Sequence, residues 1–410
     1  MTTYPLSVLR TVALRAQGLD KAAVSTPTRQ AIYKIVDQIG CVQIDTLHMV
    51  HRSHYLVLWS RLGNYNTGDF DALTSAADRR LFEGWQHAAS IIPLTEYRYQ
   101  LPHQRNLREH PTNWYNRWLN ETVQKEFVPQ VLERVRNEGA LKVSDFESDG
   151  HTGGTWWNWR PAKVALEFLN SNGELMIADR IKFQRVYDLT ERVLPQWADT
   201  SEPTVEERDR FWVERGAKAL GVFLPRHAGD YTWMKVSRSK PIVESLIRDG
   251  ILTQISGTLE NGETGQLFIH RDNLSLLDQA GDRALQAERT TFLSPFDNLW
   301  WASRRDEKLW GYHQSLESYL PAPKRRYGYF CMPILHKDRL VGRFDPKLER
   351  KNGILRLKAL YLEPGVKPDE DLVEDTATAM RDFMAFHAAK ELIIEHSEPA
   401  IFSKKLFARI

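Results

Sequence analysis

Apolar residues recur at helical spacing along the first part of the chain. Residues 7–16 and 28–39 each place apolar side chains three and four positions apart, the pattern of a helix with one buried face. Gly18 and Gly40 follow the last periodic positions, where glycine commonly ends a helix. A third helix is predicted through residues 55–62. We therefore expect the chain to begin with three short helices.

Two strand-like segments follow these helices. Residues 81–85 and 88–94 are rich in aliphatic and aromatic side chains and predict a β-hairpin. The order helix, helix, helix and hairpin is that of a winged helix, which is a helix-turn-helix with an added hairpin.

The same order recurs in the middle of the chain. A helix at residues 161–169 precedes a hairpin at residues 174–189. Helices between residues 205 and 248 precede a second hairpin at residues 251–270. Together with the first block, this repetition predicts three tandem winged-helix motifs.

From residue 290 the pattern changes to strands. Residues 327–335, 339–345 and 354–362 are predicted strands, and Asn352-Gly353 between the last two is a strong hairpin signal. A closing helix is predicted over residues 370–392. The predicted fold class is α+β: three tandem winged-helix motifs, then a small C-terminal β-barrel or antiparallel sheet with a closing helix.

The length of 410 residues is too great for one hydrophobic core, so several domains are expected. We predict a first winged helix that carries Gln43 and Asp45, a second and a third winged helix, and a β-barrel domain. Their predicted boundaries are 1–110, 111–200, 201–288 and 289–410.

Composition excludes several classes of protein. The net charge of +2 gives no global field that marks a nucleic-acid binder, although a balanced basic face is compatible with it. Cys41 and Cys331 form no CxxC pair, which argues against a zinc module and a disulfide scaffold and fits a reducing compartment. Arg10 and Arg15 interrupt the apolar N-terminus, so no secretory signal is predicted. We expect a cytoplasmic, nucleoid-associated protein with no membrane partner.

The candidate chemistry lies just after Gly40. Gln43 and Asp45 stand two positions apart in a mostly apolar run, and an extended chain would aim both side chains the same way. A carboxylate in apolar surroundings is costly unless it is hydrogen-bonded or lines a cleft. The alternative is that Asp45 caps the next helix and Gln43 is a core amide. Spacing alone favours this alternative.

Several motifs, taken together and in this order, favour a catalytic role for Gln43 and Asp45 over the structural alternative. The chain resembles the YcaQ/AlkZ family of winged-helix DNA glycosylases, which remove alkylated bases and unhook interstrand crosslinks. The resemblance rests on Gln43-Ile44-Asp45-Thr46, on the run from Arg52-Ser53 through Tyr55-Leu56-Val57-Leu58 to Ser60-Arg61-Leu62-Gly63, and on the stretches 183–190 (FQRVYDLT), 293–297 (LSPFD) and 321–330 (PAPKRRYGYF).

The resemblance implies a fold, an activity and a catalytic pair. It implies a C-shaped arrangement of three winged helices with a C-terminal β-barrel. It implies that Gln43 and Asp45 are catalytic, in the Gln-x-Asp form of YcaQ-like members. The second glutamine of the AlkZ-like form is absent, which favours broad substrate use over protection against one dedicated toxin.

Elementary chemistry agrees with that implication. An N7-alkylated guanine is already cationic, so it leaves without a general acid and the sugar becomes oxocarbenium-like. Asp45 as a carboxylate would stabilise that cation and help to deprotonate water, and Gln43 would hold the water through its amide. No lysine nucleophile stands near Gln43, so a monofunctional enzyme that leaves an abasic site is expected. No cofactor and no metal are expected.

Further residues are predicted to contact DNA or to line the cleft. The cationic side chains are predicted to contact DNA phosphates. The alternative for each of them is a solvated surface position or an internal ion pair. The turn at residues 182–185 is predicted to be a wedge for the minor groove. The predicted DNA-binding residues are Arg52, Ser53, His54, Tyr55, Arg61, Lys182, Arg185, Lys324, Arg325 and Arg326, and the predicted cleft-lining residues are Thr46, His48, His51 and His87. Asp297 and Asp345 are predicted to be structural rather than catalytic.

Two hypotheses about function follow from these observations. The first is a monomeric DNA glycosylase that acts on double-stranded DNA with alkylated or crosslinked guanine. The second is a multi-winged-helix transcription regulator that binds DNA without catalysis, because winged helices usually bind duplex DNA. Release of a free base from alkylated DNA would distinguish the first from the second.

Overall fold

A computed structural model describes residues 3–22, 26–111, 116–118, 122–149 and 161–410. Contacts divide the chain into two compact units. The first unit comprises Met1–Thr67, Gln86–Ser90 and Asp209–Ile410, and the second comprises Gly68–Trp85 and Ile91–Arg208. Residues 151–155 (HTGGT), which the sequence predicts to be a loop, lie outside the described residues.

Helices and strands alternate along the described chain. The helices are α1 Leu6–Ala16, α2 Arg29–Ile39, α3 Ser53–Leu62, α4 Thr67–Thr74, α5 Leu101–Glu109, α6 Thr122–Glu138, α7 Pro161–Ser171, α8 Thr190–Val193, α9 Val205–Leu220, α10 His227–Asp230, α11 Val236–Arg248, α12 Leu274–Gly281, α13 Arg305–Trp310, α14 Glu370–Phe386 and α15 Ala400–Phe407. The strands are β1 Thr3–Tyr4, β2 Val42–Gln43, β3 Leu81–Trp85, β4 Ala89–Pro93, β5 Leu141–Lys142, β6 Leu175–Ile181, β7 Gln184–Leu189, β8 Val222–Phe223, β9 Leu252–Thr258, β10 Thr264–His270, β11 Thr290–Phe292, β12 Met332–His336, β13 Arg339–Glu349, β14 Ile354–Leu362, β15 Glu391–Ile394 and β16 Ser397–Glu398.

Helix α2 shows how the local sequence sets its own ends. The Thr28 hydroxyl accepts a hydrogen bond of 3.3 Å from the Ala31 N–H, which satisfies one of the free donors of the first turn. Ile32 and Val36 are fully buried, one turn apart. Gly40 then adopts a positive φ of 86°, which few other residues tolerate, and the chain leaves the helix there. The predicted helix and its end are confirmed.

In the first unit, a mixed sheet holds the N-terminus. Strand β1 runs parallel to β9, while β10 pairs antiparallel with both β9 and β8. Helix α1 packs on this sheet, and its fully buried Leu9 and Val12 belong to the same hydrophobic core as Ile269 of β10. The first helix and the residues predicted as the third winged helix therefore share one core. The division into four domains and the number of winged helices stay predictions.

The C-terminal sheet is a curled half-barrel in the order β11-β12-β13-β14-β15, with β16 also paired to β14. Its first four strands are antiparallel, as predicted, but β15 and β16 run parallel to β14, so the sheet is mixed. The predicted closing helix 370–392 ends at Phe386 because the chain turns at His387 and Ala388 and returns as β15. Its core face is fully buried at Val373 and Phe383.

The predicted strand at residues 327–335 begins only at Met332. Before it, the N–H groups of Tyr329 and Phe330 donate to the Asp345 carboxylate at 2.8 and 2.9 Å instead of joining the sheet. Gly328 makes room for this carboxylate, because a Cβ there would lie 2.3 Å from Asp345 Oδ2. The predicted structural role of Asp345 is confirmed.

The second unit contains the hairpin β6–β7, with β5 paired to the outer side of β7. Lys182 and Phe183 form its turn with positive φ values of 48° and 70°. Helices α6 and α7 cover one side of the hairpin and bury Val135, Leu166 and Tyr187 in a separate core. The hairpin predicted at residues 174–189 is confirmed.

Candidate active site

The Gln43–Asp45 segment lies between a helix end and a short strand in the first unit. After Gly40 the chain enters β2, and the Ile44 N–H donates a hydrogen bond of 2.8 Å to the Ala89 carbonyl. Cys41 is buried, whereas Gln43 and Asp45 are both only half-buried. The backbone of the segment is thus fixed while the two polar side chains keep access to solvent.

Two buried side chains fix the residues just before this segment. The Asn298 amide donates to the Cys41 carbonyl at 2.9 Å and to the Tyr231 hydroxyl oxygen at 3.0 Å. The Tyr231 hydroxyl in turn donates to the Ile39 carbonyl at 2.7 Å. These bonds fix the backbone at the last residue of α2 and at Cys41, just before the Gln43–Asp45 segment. Sequence reasoning missed both residues; the available signal was that Asn298 directly follows the stretch 293–297.

Asp45 forms a local turn rather than a helix cap. Its Oδ1 accepts a hydrogen bond of 2.7 Å from the Leu47 N–H. Helix α3 begins only at Ser53, with Arg52 in the capping position. The alternative that Asp45 caps the next helix is therefore wrong. Burial raises the pKa of the Asp45 carboxyl above its ordinary value, and the bond from Leu47 acts in the opposite direction.

Arg61 is part of the interior. Its guanidinium makes two bonds to the Asp297 carboxylate, at 2.7 and 2.9 Å, and both side chains are fully buried. Arg61 also donates to the Gln17 carbonyl at 2.8 Å and to the Val57 carbonyl at 3.0 Å. The prediction that Arg61 contacts DNA is corrected, because the ion pair holds it away from the surface. The structural role predicted for Asp297 is confirmed.

The first residues of α3 are also enclosed. The Ser53 hydroxyl bonds to the Ser294 hydroxyl, and Ser53 has no exposed surface. His54 is 3% exposed and lies 4.3 Å from the half-buried Tyr55, between ring centroids. Direct DNA contact predicted for Ser53 and His54 does not fit these positions, because neither side chain reaches the surface.

His48, His51 and Arg52 come together just before α3. The ring centroids of His48 and His51 are 5.8 Å apart, and the Arg52 N–H donates to His51 Nδ1 at 3.0 Å. Partial burial of the ring, and then the cations Arg350 and Arg52, lower the pKa of His48 to about 4. Burial, followed by neighbouring histidines and the same two cations, lowers the pKa of His51 to about 3. Thr46 and His48 are exposed, as residues that line a cleft require.

His87 belongs to an aromatic stack. Its ring lies 4.2 Å from the Trp301 ring at an angle of 4° and 5.2 Å from the Trp233 ring. Its Nδ1 is 3.1 Å from the Tyr231 carbonyl oxygen. Burial lowers the pKa of His87 to about 4, and bonds to backbone carbonyls oppose the shift. The imidazole therefore packs against both indoles, and its lowered pKa favours the neutral form.

The cations of the stretch 321–330 divide into two kinds. Lys324 and Arg326 are exposed, with the Arg326 guanidinium 4.8 Å above the Tyr327 ring. Arg325 instead braces the loop, because its Nε donates to the Leu320 carbonyl at 2.9 Å and to the Glu317 carbonyl at 3.1 Å. Lys324 and Arg326 are thus the better placed for phosphate.

Comparison with known proteins identifies the family. The sequence matches the model of the DNA glycosylase AlkZ-like family over residues 36–383. The chain belongs to the AlkZ-like DNA glycosylase family. The fold is similar to that of Streptomyces sahachiroi DNA glycosylase AlkZ, with a TM-score of 0.64 and 14% identity over 96% of this chain and 100% of that chain.

Membership decides between the two functional hypotheses. This AlkZ-like protein is a DNA glycosylase, an enzyme of DNA repair, and the hypothesis of a regulator without catalysis is set aside. The family and the enzyme class expected from the sequence are confirmed. None of the helices in the described residues combines the length and the hydrophobicity that a membrane span requires.

The second unit of the glycosylase contains the remaining predicted DNA contacts. Lys182 is exposed at the tip of the β6–β7 hairpin. Arg185 pairs with both Glu83 and Glu167, the latter at 2.6 Å. Burial alone would lower the pKa of Arg185, but the two carboxylates outweigh it and the pKa lies above its ordinary value. The prediction for Arg185 is corrected, since its charge is already compensated inside the unit.

The predicted wedge at this hairpin also differs in detail. Phe183 is half-buried, with the Arg180 guanidinium 4.3 Å from its ring. The apolar side chain that stands out at the tip is Ile181, which is 49% exposed. The exposed side chains at this end of the hairpin are therefore Ile181 and Lys182, while Phe183 of the turn is half-buried.

Sequence reasoning missed one exposed aromatic residue of the AlkZ-like protein. Tyr319 is 69% exposed in a short 3-10 turn, Glu317–Tyr319. Burial raises the pKa of Tyr319, and the negative charge of Asp45 adds to the shift, which puts the phenol within electrostatic range of that carboxylate. The Glu317 carboxylate accepts from the Tyr327 N–H at 2.8 Å and fixes the turn. The only signal in the sequence was the position of this tyrosine just before the motif 321–330.

One cluster in the described residues has ligand atoms close enough for a cation. Ligand atoms of His336, Asp371 and Asp375 lie within 4.8 Å of one another. The Lys337 ammonium already bonds to Asp371, and the Thr290 hydroxyl donates to Asp375 at 3.3 Å. The acidic charge is thus partly compensated, and we assign no metal to this cluster.

Proposed function

We propose that this DNA glycosylase hydrolyses the N-glycosidic bond of cationic N7-alkylguanine in double-stranded DNA and unhooks interstrand crosslinks made through that atom. Water is the nucleophile, and the product is an intact abasic site. The observation that carries the proposal is the Asp45 carboxylate, held by the Leu47 N–H at 2.7 Å, two residues from Gln43 and still open to solvent.

The choice of lesion follows from the way in which the base leaves the sugar. A cationic base leaves as a neutral molecule, so the enzyme needs no acid to protonate it. The positive charge that remains on the sugar is the feature that requires stabilisation. One carboxylate beside the sugar meets this requirement, and Asp45 is the acidic residue of the motif.

Asp45 combines two properties that the reaction uses. Its partial burial strengthens its interaction with a nearby cation, because less solvent screens the charge. The same burial raises the pKa of the carboxyl, which makes the carboxylate a better base toward water. The bond from Leu47 occupies one oxygen and leaves the other for the sugar or the water.

Gln43 is proposed to orient the attacking water. Its amide supplies donors and an acceptor, so one side chain is able to bind water and direct a lone pair at the sugar. Its backbone lies in β2, and Asn298 and Tyr231 fix the residues just before it. No lysine occurs between residues 40 and 62, which supports a monofunctional enzyme.

DNA binding is proposed to use six residues of the predicted DNA-binding and cleft-lining sets. These are Thr46, His48, Arg52, Lys324, Arg326 and Lys182, which are exposed or half-buried. Their phosphate contacts would be independent of base sequence, as a repair enzyme needs. We propose that the protein acts as a monomer on the duplex.

The test uses two duplexes, one with N7-methylguanine and one with a nitrogen-mustard crosslink. The wild-type enzyme is expected to release the free base from the first and to separate the strands of the second. Asp45→Asn should lower both rates about 10²–10⁴-fold. Asp278→Asn, an exposed carboxylate on α12, is the matched control and should keep the wild-type rates.

Wild-type base release by Asp45→Asn would remove Asp45 from the mechanism. Failure of the wild-type enzyme on the crosslinked duplex, with normal action on the methylated one, would restrict the substrate to monoadducts. Strand breaks that form without heat or alkali would show a lyase activity and contradict a water nucleophile.

A further inference from the structure

The segment that follows Asp45 is held against the end of the long strand β13. The Leu348 N–H donates to the Met49 carbonyl at 2.9 Å, and the Arg350 guanidinium donates to the Val50 carbonyl at 2.7 Å. Arg350 stands 300 residues from Val50 in the chain, so only folding brings it to this segment.

Arg350 joins a group of imidazoles there. The ring centroid of His51 lies 5.8 Å from that of His48 and 6.1 Å from that of His387. The ring of the half-buried Phe386 also packs against His51, with the ring centroids 5.8 Å apart. His48 and Arg350 are exposed to solvent. We name His48, His51, Arg52, Arg350 and His387 the His48–Arg350 cluster.

Every charged group that shifts the pKa of these imidazoles is an arginine or another imidazole. After burial, the pKa of His48 is lowered by Arg350 and Arg52. The pKa of His387 is lowered to about 4 by burial and by Arg350 and His48, against a bond to a backbone carbonyl. In the described part of the chain, no carboxylate contributes to these shifts.

Arg350 differs in this respect from Arg343 and Arg356 of the C-terminal sheet. Arg356 bonds to Glu349 at 2.7 Å and to Glu395 at 3.0 Å, and Arg343 bonds to Glu363 at 2.8 Å. For Arg350, the described residues offer a backbone carbonyl and no carboxylate. Cations that lie close together repel one another, and an anion placed among them relieves that repulsion.

We propose that Arg350 and His48, supported by the rest of the cluster, bind a backbone phosphate of the DNA strand that carries the lesion. Arg350 supplies the charge and a planar set of donors suited to phosphate oxygens. His48 supplies a ring N–H. This inference rests on the proposed function, because it takes the neighbouring Asp45 to be the reacting group.

The position gives the site a specific task. His48 is three residues from Asp45, and the Leu47 N–H between them already bonds to Asp45. A phosphate held at His48 would fix the sugar beside it relative to the carboxylate. Phosphate contacts set register along DNA but read no sequence, so this site would position the lesion nucleotide for any flanking sequence.

Binding to an unreactive duplex tests the site. The probe is a fluorescent duplex with a tetrahydrofuran abasic analogue, titrated with enzyme between about 50 and about 200 mM salt. Arg350→Ala should lower the slope of log affinity against log salt by about 0.9, the value for one phosphate contact. Arg350→Gln keeps a donor for Val50 and loses the charge, so it should show the same decrease if the charge is responsible. Arg304→Ala, an exposed arginine paired with Glu307, is the matched control and should keep the wild-type slope.

Replacement of single phosphates by neutral methylphosphonates locates the contact. We expect one position next to the analogue to weaken wild-type binding and to have no further effect on Arg350→Ala or His48→Ala. At the same ionic strength, inorganic phosphate should weaken duplex binding by the wild type and by Arg350→Ala to the same extent. Unchanged salt slopes in both Arg350 variants, or additive losses at every phosphate, would overturn the proposal. Stronger competition by inorganic phosphate against the wild type would reassign the cluster to free phosphate.

These outcomes are separate from those for the proposed function. Asp45→Asn should bind the unreactive duplex with the wild-type slope, because it keeps every member of the cluster. A wild-type salt slope in Arg350→Ala, together with loss of base release in Asp45→Asn, would reject the phosphate site alone. The reverse combination would reject the proposed catalytic role and leave a DNA contact in place.

Discussion

The guanidinium of Arg61 and the carboxylate of Asp297 form a two-bond ion pair in which both side chains are fully buried. The pair joins helix α3 to the 3-10 turn that presents Asn298 beneath the Gln43–Asp45 segment. A buried pair of this kind adds little over an apolar pair, but removal of one partner leaves an uncompensated charge. Its role is to hold the site in one arrangement.

Loss of one member of this pair should destabilise the folded protein. We expect Asp297→Asn to lower the free energy of unfolding by about 3–5 kcal/mol, since the Arg61 charge stays buried. Urea denaturation followed by tryptophan fluorescence measures the change. Arg304→Ala, which breaks an exposed ion pair with Glu307, should leave the midpoint unchanged. A midpoint shift for Asp297→Asn no larger than that of the control would show that the pair is dispensable.

The Tyr231 hydroxyl should matter for both stability and rate. Tyr231→Phe removes its bond to the Ile39 carbonyl and leaves that buried carbonyl and Asn298 without this partner, at about 1–3 kcal/mol. The turnover rate should fall more than the affinity for DNA, because the segment that carries Gln43 loosens while the cations stay. Tyr312→Phe is the control, as its buried hydroxyl has no hydrogen-bond partner among the described residues. Equal effects of the two substitutions would contradict this role.

The rate should depend on pH through Asp45. Burial raises the pKa of this carboxyl, and the mechanism needs its ionised form. The rate of base release should therefore rise with pH and reach its plateau at a higher pH than an ordinary carboxyl would give. Single-turnover rates on N7-methylguanine DNA across the acidic range measure this limb. Its persistence in the residual activity of Asp45→Asn would assign it to another group.

Tyr319 should contact the substrate through its ring. The side chain is 69% exposed on a fixed turn near Asp45, which suits stacking on a base. Stacking of this kind is worth about 1–3 kcal/mol per base. Tyr319→Ala should weaken binding of the abasic-analogue duplex accordingly, and Tyr319→Phe should bind as the wild type does. Equal losses in the two variants would point to the hydroxyl instead of the ring.

Buried histidines should make the fold sensitive to mild acid. Burial first, and then Arg305 and Arg226, lower the pKa of His227 from 6.5 to about 3. Above about pH 6.5 the residue is neutral in both states and has no effect on stability. Below that, the unfolded chain takes up a proton that the folded chain excludes, so stability falls by up to about 1.4 kcal/mol per pH unit until the folded pKa is reached.

Thermal unfolding measured at about pH 7.5 and about pH 5.5 tests this prediction. The wild type should lose stability between the two values, and His227→Gln should lose about 1.4 kcal/mol less. Parallel losses in the two proteins would show that His227 is not one of the groups responsible.

The amino-acid pattern was sufficient for the features that depend on nearby residues. Helix α2, its end at Gly40, the hairpin β6–β7 and the turn at Asn352-Gly353 follow from local spacing and from the torsion angles that glycine permits. The ordered set of motifs was enough for the family, because each motif is short but their combination is specific. The proposed catalytic pair also came from the sequence.

Only the tertiary structure decided which charged residues face solvent. The local sequence does not distinguish Arg61 and Arg185 from the exposed Lys324. In the folded chain, however, Arg61 pairs with Asp297, and Arg185 pairs with Glu83 and Glu167. Arg350 reaches the segment after Asp45 because β13 ends there. Helix and hairpin signals arise within a few residues, whereas the charge balance at a site is a sum over residues that folding alone brings together.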